Sequence, residues 1–281
     1  MSLSSRCLPE SFNNIRHPAL VAGHPGHELR VFGWMSACRP RVYLISDGSG
    51  SQGIARTSSS AAAIAQLGCE RGEIFGAISD ATVYCILREG NPSLFLRLVD
   101  QMASSFVKHE IDFVAGDAAE GFNPTHDLCR TLINAAVTMA ERASGRAIAN
   151  FEFCLTEWED NCPDLPHDHR CIHLVLDDNS LSQKLTAAEG YIELKEETQR
   201  AIDSRGEEYF RVECLRRVTD PAWPLRNSAR RLYEIWGETR VAEGKYQSVI
   251  RFKEHVLPVL TSILDYAASA DLSRSAAFLD N

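Results

Sequence analysis

The chain has 281 residues, of which 44% are hydrophobic and 24% charged, enough to build the core of one large domain over residues 1–281. A formal net charge of −9 leaves no basic surface to neutralise a phosphate backbone or an anionic bilayer, so neither nucleic acid nor a membrane is an expected partner. No apolar run reaches the roughly 20 residues of a membrane span, and the opening stretch MSLSSRCLPESFNN lacks the apolar segment of a signal peptide, so the expected location is cytoplasmic.

Short apolar runs recur along the chain at 19–23 (ALVAG), 41–46 (RVYLIS), 73–78 (EIFGAI), 112–117 (DFVAGD), 147–153 (AIANFEF) and 171–176 (CIHLVL). Between them, residues 25–38, 56–67, 93–108 and 126–143 carry apolar side chains at three- and four-residue spacing. Continuous apolar strands separated by amphipathic helices predict an α/β, Rossmann-like, mostly parallel sheet with helices on both faces. Beyond residue 177 come a long charged helix over about 180–203, a strand-like segment at 209–218 and a final helix over 248–268. These form a C-terminal helical and strand appendage, with the core at about 18–215 and an extension at about 216–281. Residues 233–252, which carry Trp236, Glu238, Arg240 and Tyr246, fit no helical period; a lid and an oligomer contact are the two readings, and homo-oligomerisation is left open.

Nine cysteines without a C-x-x-C pair argue against a disulfide framework and a zinc ribbon, and are expected to be reduced packing residues. His167 and His169 read as an exposed turn, His173 as a satisfied core residue, and His17, His109 and His255 show no partner.

In an open parallel sheet, ligands gather at the carboxyl ends of the strands. Two such places hold histidine: Gly23-His24-Pro25-Gly26-His27-Glu28 after the first run, and Gly121-Phe122-Asn123-Pro124-Thr125-His126-Asp127 after the fourth. His24 and His27, three apart at a helix start, face one point, and His126 opens a helix on the same sheet edge. Three imidazoles with an open fourth position suit zinc, with another divalent ion as the alternative. Isolated surface or core histidines remain the plainer account of each motif taken alone.

The stretch LVAGHPGHE resembles the A-H-P-D-D-E motif of the PIG-L/LmbE-like zinc-dependent N-deacetylases. YLISDGSG resembles that family's T-D-G segment, Arg56 and the helix after it take the place of its R-x-x-E helix, and NPTHD resembles its H-P-D-H motif; the likeness runs in order over about residues 18–215. It implies zinc at His24, His27 and His126. It also implies substrate contacts from Arg56 and from Asp80, where the family has a sugar-binding acid, for which a turn cap is the plainer role. Asp47 sits in the same segment and is expected to bond the backbone of its turn or to meet substrate.

The departures are specific. The Asp that serves the family as general base is replaced by Gly26, the following, zinc-binding Asp by His27, and the leading His of the second motif by Asn123, whose amide can still donate to an oxyanion. Exchanging a carboxylate ligand for imidazole makes the site one unit more positive and acidifies bound water. The candidate bases are Glu120, Glu28, Asp47 and Asp117, in that order; Glu28 fits better as a residue orienting a ligand histidine, and Glu120 equally well as a solvated loop acid.

The function expected on this basis is a metal-dependent, deacetylase-like hydrolase cleaving an amide or acyl bond of a small polar metabolite such as an amino sugar. The alternatives are a non-catalytic metal- or ligand-binding relative and another metal-assisted biosynthetic reaction such as a cyclisation.

Overall fold

A computed structural model of the chain describes residues 15–50, 53–156, 171–226 and 229–270. His167, His169, Cys7 and Cys162 lie outside them.

Among the described residues seven strands form one sheet: β1 (Pro18–Ala22), β2 (Arg41–Ser46), β3 (Glu70–Ile78), β4 (Phe113–Asp117), β5 (Ala149–Phe153), β6 (Cys171–Val175) and β7 (Val212–Arg217), in the order β3-β2-β1-β4-β5-β7-β6. The first five pair in parallel, and β7 joins β5 and β6 antiparallel. Each central strand feeds two cores by alternation. Ala19, Val21, Tyr43, Ile45 and Val114 face one side, Leu20, Ala22, Val42, Leu44, Phe113 and Ala115 the other. Strands β1 and β4 are buried throughout, which explains why their sequences read as unbroken apolar runs.

The first core is covered by α3 (Asp80–Glu89), α4 (Ser93–Lys108), α5 (Pro124–Ser144) and α10 (Leu257–Ser269), the second by α1 (Phe32–Cys38), α2 (Thr57–Gln66) and α6 (Asp178–Glu189). The α/β architecture with helices on both faces is therefore the one the apolar pattern predicts.

Several elements differ from expectation. The helix read over 25–38 starts as a 3-10 turn, His27–Val31, preceded by Gly26 at φ 104°, and α-helical geometry begins at Phe32 after Val31 at φ −121°. Helix α3, capped by the Ser79 side chain, was not foreseen. The long helix over 180–203 breaks at Gly190 into α6 and α7 (Lys195–Arg205). After the short α8 (Trp223–Arg226), residues 233–252 contain a helix after all, α9 (Leu232–Ala242), in which Glu238 pairs with Arg230 and Arg251; Trp236 and Tyr246 are exposed. The final helix begins with a π turn at Phe252–Val256. The segment at 209–218 supplies β7 inside the sheet, so it is no attachment to its outside. Among the described residues no helix is long and apolar enough to cross a membrane.

The strand order reverses between β1 and β4: the chain proceeds from β1 to β2 and β3 on one side, then returns to β4 and β5 on the other. A crevice opens at such a point, outside the carboxyl ends of the two strands. Both histidine motifs leave the sheet there.

Candidate metal centre

His24 follows β1, and His27 begins the 3-10 turn after Gly26. His126 sits in the first turn of α5, whose start is fixed by Asn123 accepting from Thr125 N and by Pro124 at the first helical positions. The chain thus brings three imidazoles together, with ring centroids 5.2 Å (His24–His27), 5.3 Å (His24–His126) and 4.7 Å (His27–His126) apart.

The Nδ1 atoms of His24 and His27 are held by acids and a hydroxyl. His24 Nδ1 lies 2.8 Å from Ser46 Oγ, at the end of β2, and 3.1 Å from Asp80 Oδ1, at the start of α3. His27 Nδ1 donates to Asp117 Oδ2 at 2.8 Å, at the end of β4. Such partners fix the tautomer and leave Nε2 with its lone pair free. His24 Nε2 and His126 Nδ1 are buried and have no hydrogen-bond partner among the described residues. A buried polar atom without a partner is costly unless something else satisfies it. Burial, reinforced by the neighbouring imidazoles, pushes the His126 pKa well below the ordinary histidine value; burial likewise lowers that of His24 against the opposing pull of Asp80. Both rings are therefore neutral near pH 7, the state that ligates metal. Burial acts to raise the Asp80 pKa, but hydrogen bonding and charge from His24, with help from Ser46 and Gly50, hold it below the usual carboxylate range.

The donor set fits zinc in type and number, and the orphaned His24 Nε2 is the atom such an ion would satisfy. The imidazoles are spread more widely than a closed ligand shell. Among the described residues, the His, Cys, Asp and Glu group whose donor atoms all fall within 4.8 Å of one another is Cys171, His173 and Cys214, on β6 and β7.

Other expected site residues are placed as follows. Asp80 is not a free sugar-binding acid: it is buried, with Oδ1 beside His24 and Oδ2 accepting from Gly50 N at 2.7 Å. Glu120 is not a solvated loop acid and not a free base, because its carboxylate accepts from Leu155 N (2.8 Å), Thr156 N (3.1 Å) and Thr156 Oγ1 (2.6 Å) in the loop after β5. Glu28 is buried and accepts from Gly26 N (2.7 Å) and Ser60 Oγ, so it shapes the histidine loop. Asp47 accepts from Ser49 N at 2.9 Å, the backbone role expected of it. Arg56 precedes α2 and donates from Nε to Gly48 O at 2.6 Å. Asn123 uses Oδ1 as its cap, leaving its amide nitrogen as a donor. Asp117, last among the candidate bases, is fully buried on His27.

The sequence reading missed Ser46 and Arg130. Arg130 is fully buried in α5 and donates from Nε to Asp117 O at 2.7 Å, which ties the helix carrying His126 to the strand carrying Asp117. An arginine among apolar helix positions was the available signal. Phe122 also went unremarked; it is 43% exposed and stacks 6.1 Å from the His126 ring. The unpartnered histidines are corrected too: His109 meets Glu73 at 2.7 Å, His17 meets Glu110 O at 3.2 Å, and His255 accepts from Arg251 N at 2.8 Å.

No family model matches the sequence, and no curated protein matches it. Among solved structures, the chain is similar to the A40926 pseudoaglycone deacetylase Dbv21, at 16% identity over 72% of this chain and 96% of that one, with a TM-score of 0.47. It is similar to a teicoplanin biosynthesis deacetylase in complex with teicoplanin, at 16% identity over 73% of this chain and 100% of that one, TM-score 0.47. The zinc-inhibited form of teicoplanin deacetylase Orf2 is 14% identical over the same shares, TM-score 0.43. A likeness of this extent does not speak to the reaction, which depends on the residues of the site.

Proposed function

We propose that the chain is a metal-dependent hydrolase of the deacetylase type, acting on an amide or acyl bond of a small polar substrate such as an N-acylated amino sugar. The observation that carries this reading is the buried, unpartnered Nε2 of His24, held in place by Ser46 and Asp80 on the opposite nitrogen and facing two further imidazoles at the switch point of the sheet.

On this reading His24, His27 and His126 hold the ion, with Asp80 and Asp117 fixing the rings of the first two. A divalent ion in such a ligand set acidifies water and polarises a carbonyl. The chain supplies the rest. Asn123 donates from its amide nitrogen to the carbonyl oxygen as charge develops there. Phe122, exposed and stacked beside His126, offers a flat apolar wall to one face of a sugar ring. Position 26 holds no carboxylate, and Glu120 and Glu28 are engaged elsewhere, so no acid among the described residues is assigned the attacking water's proton.

The test is metal analysis of the purified full chain beside His24→Ala and His126→Ala, combined with hydrolysis of an N-acetylated amino sugar. Each variant is expected to lose about one zinc per chain and all hydrolysis while keeping its circular dichroism. Equal metal content in all three proteins would remove the reading.

A further inference from the structure

Strands β6 and β7 run antiparallel with Cys171 opposite Arg216 and His173 directly opposite Cys214. Side chains alternate along a strand, so Ile172, Leu174 and Leu215 enter the second core, while Cys171, His173 and Cys214 share the other, half-buried face. Donor atoms of these three residues all lie within 4.8 Å of one another. His173 is thus not a core histidine, and Cys171 and Cys214 are not mere apolar filling. One strand, β5, lies between this pair and β4, which borders the histidine crevice, so the cluster is separate from the site described above.

We propose that Cys171, His173 and Cys214 form a second zinc site in the reduced chain, one that clamps the edge strand β6 to β7. Two thiolates and one imidazole are a soft donor set that selects zinc over magnesium or calcium, and partial exposure gives the ion a way in. Cys214 is disulfide-bonded in this structure. A sulfur in a disulfide carries no thiolate charge, so the site belongs to the reduced state. A dithiol reductant brings that state about: its two sulfurs join, its two electrons break the bond at Cys214, and its two protons pass to the two thiols released. Zinc then displaces one proton each from Cys171 and Cys214 as it binds.

The experiment is cobalt(II) titration of the reduced, metal-stripped full chain under anaerobic conditions, followed through the sulfur-to-cobalt charge-transfer absorption that imidazoles alone cannot give. The band is expected to saturate at about one cobalt per chain in the wild type and equally in a His24→Ala/His126→Ala chain, which separates this site from the proposed catalytic one. It should vanish in Cys171→Ser and in Cys214→Ser, and bleach when zinc is added. No band in the reduced wild type, or a band that survives both serine variants, overturns the proposal. Should the serine variants fail to fold, alkylation of the wild type decides: zinc is expected to protect Cys171 and Cys214 at least about tenfold, read by peptide mass spectrometry, and equal labelling with and without zinc sinks the site.

Discussion

Asp117 Oδ2 accepts two hydrogen bonds at once, from Gly23 N at 2.7 Å and from His27 Nδ1 at 2.8 Å. One buried oxygen on β4 thereby fixes both the end of β1 and the orientation of an imidazole that leaves it. Orienting carboxylates of this kind typically contribute about 10–100-fold in metal affinity. Asp117→Asn is expected to weaken the zinc that His24→Ala abolishes by that factor, measured by competition with a chromophoric chelator. Unchanged affinity would reduce Asp117 to a strand fastener.

Gly26 stands where the resembled family has its base, and restoring an aspartate there looks harmless in the sequence. The backbone at φ 104° is one that side chains with a Cβ rarely adopt, and a Cβ would collide with Leu194 Cδ1. Gly26→Asp is expected to destabilise the fold by about 1–3 kcal/mol and to leave hydrolysis no faster. Thermal unfolding at the wild-type temperature would show that Leu194 gives way freely.

Glu120 holds the loop after β5 through three donors. Loss of a general base costs about 10²–10⁴ in rate. Glu120→Gln is instead expected to lower turnover on an N-acetylated amino sugar by less than about tenfold. Glu120→Ala should cost about 1–3 kcal/mol in urea unfolding, because Leu155 N and Thr156 N lose their acceptor. A hundredfold drop in a folded Glu120→Gln protein would return the base to this residue.

Glu73 on β3 receives Ser105 Oγ, His109 Nε2 at 2.7 Å and Lys108 Nζ at 3.1 Å. Partial burial acts to raise its pKa, but these hydrogen bonds outweigh it and hold the carboxyl down at about 2, against 4.5 ordinarily. A folded-state pKa below the unfolded one means that the unfolded chain binds more protons as pH falls. The stabilisation is complete above about pH 4.5 and is lost on the way down to about pH 2. Allowing for solvent screening it amounts to about 1 kcal/mol. Urea midpoints of the wild type should fall more steeply than those of Glu73→Gln across this window; parallel curves would contradict the assignment.

Much of this was legible because it was local. Leu20 and Ala22 against Ala19 and Val21 are four consecutive apolar residues, and only a strand buried on both faces needs them all. His24, His27 and His126 stood out because each follows such a strand. Roles set by long-range contacts were not legible. Asp117 meets His27 across 90 positions and Glu120 meets Leu155 across 35, so neither carboxylate's partner is near it in sequence. Asp80 was assigned to substrate because nothing nearby in the chain announces that β3 delivers it to His24. His173 and Cys214 become neighbours only once β6 and β7 are known to pair.

The out-of-order place of β7 bears on how the chain is made. Synthesis at about 5–20 residues per second delivers β1 through β5, and with them all three crevice histidines, well before Val212 emerges. During that interval β5 presents a bare ladder of amide and carbonyl groups, and β6, already synthesised, has no strand to lie against. A nascent chain therefore completes its imidazole pocket while one flank of its sheet is still open to pairing with a neighbouring nascent chain, and closing that flank waits on β7 leaving the ribosome.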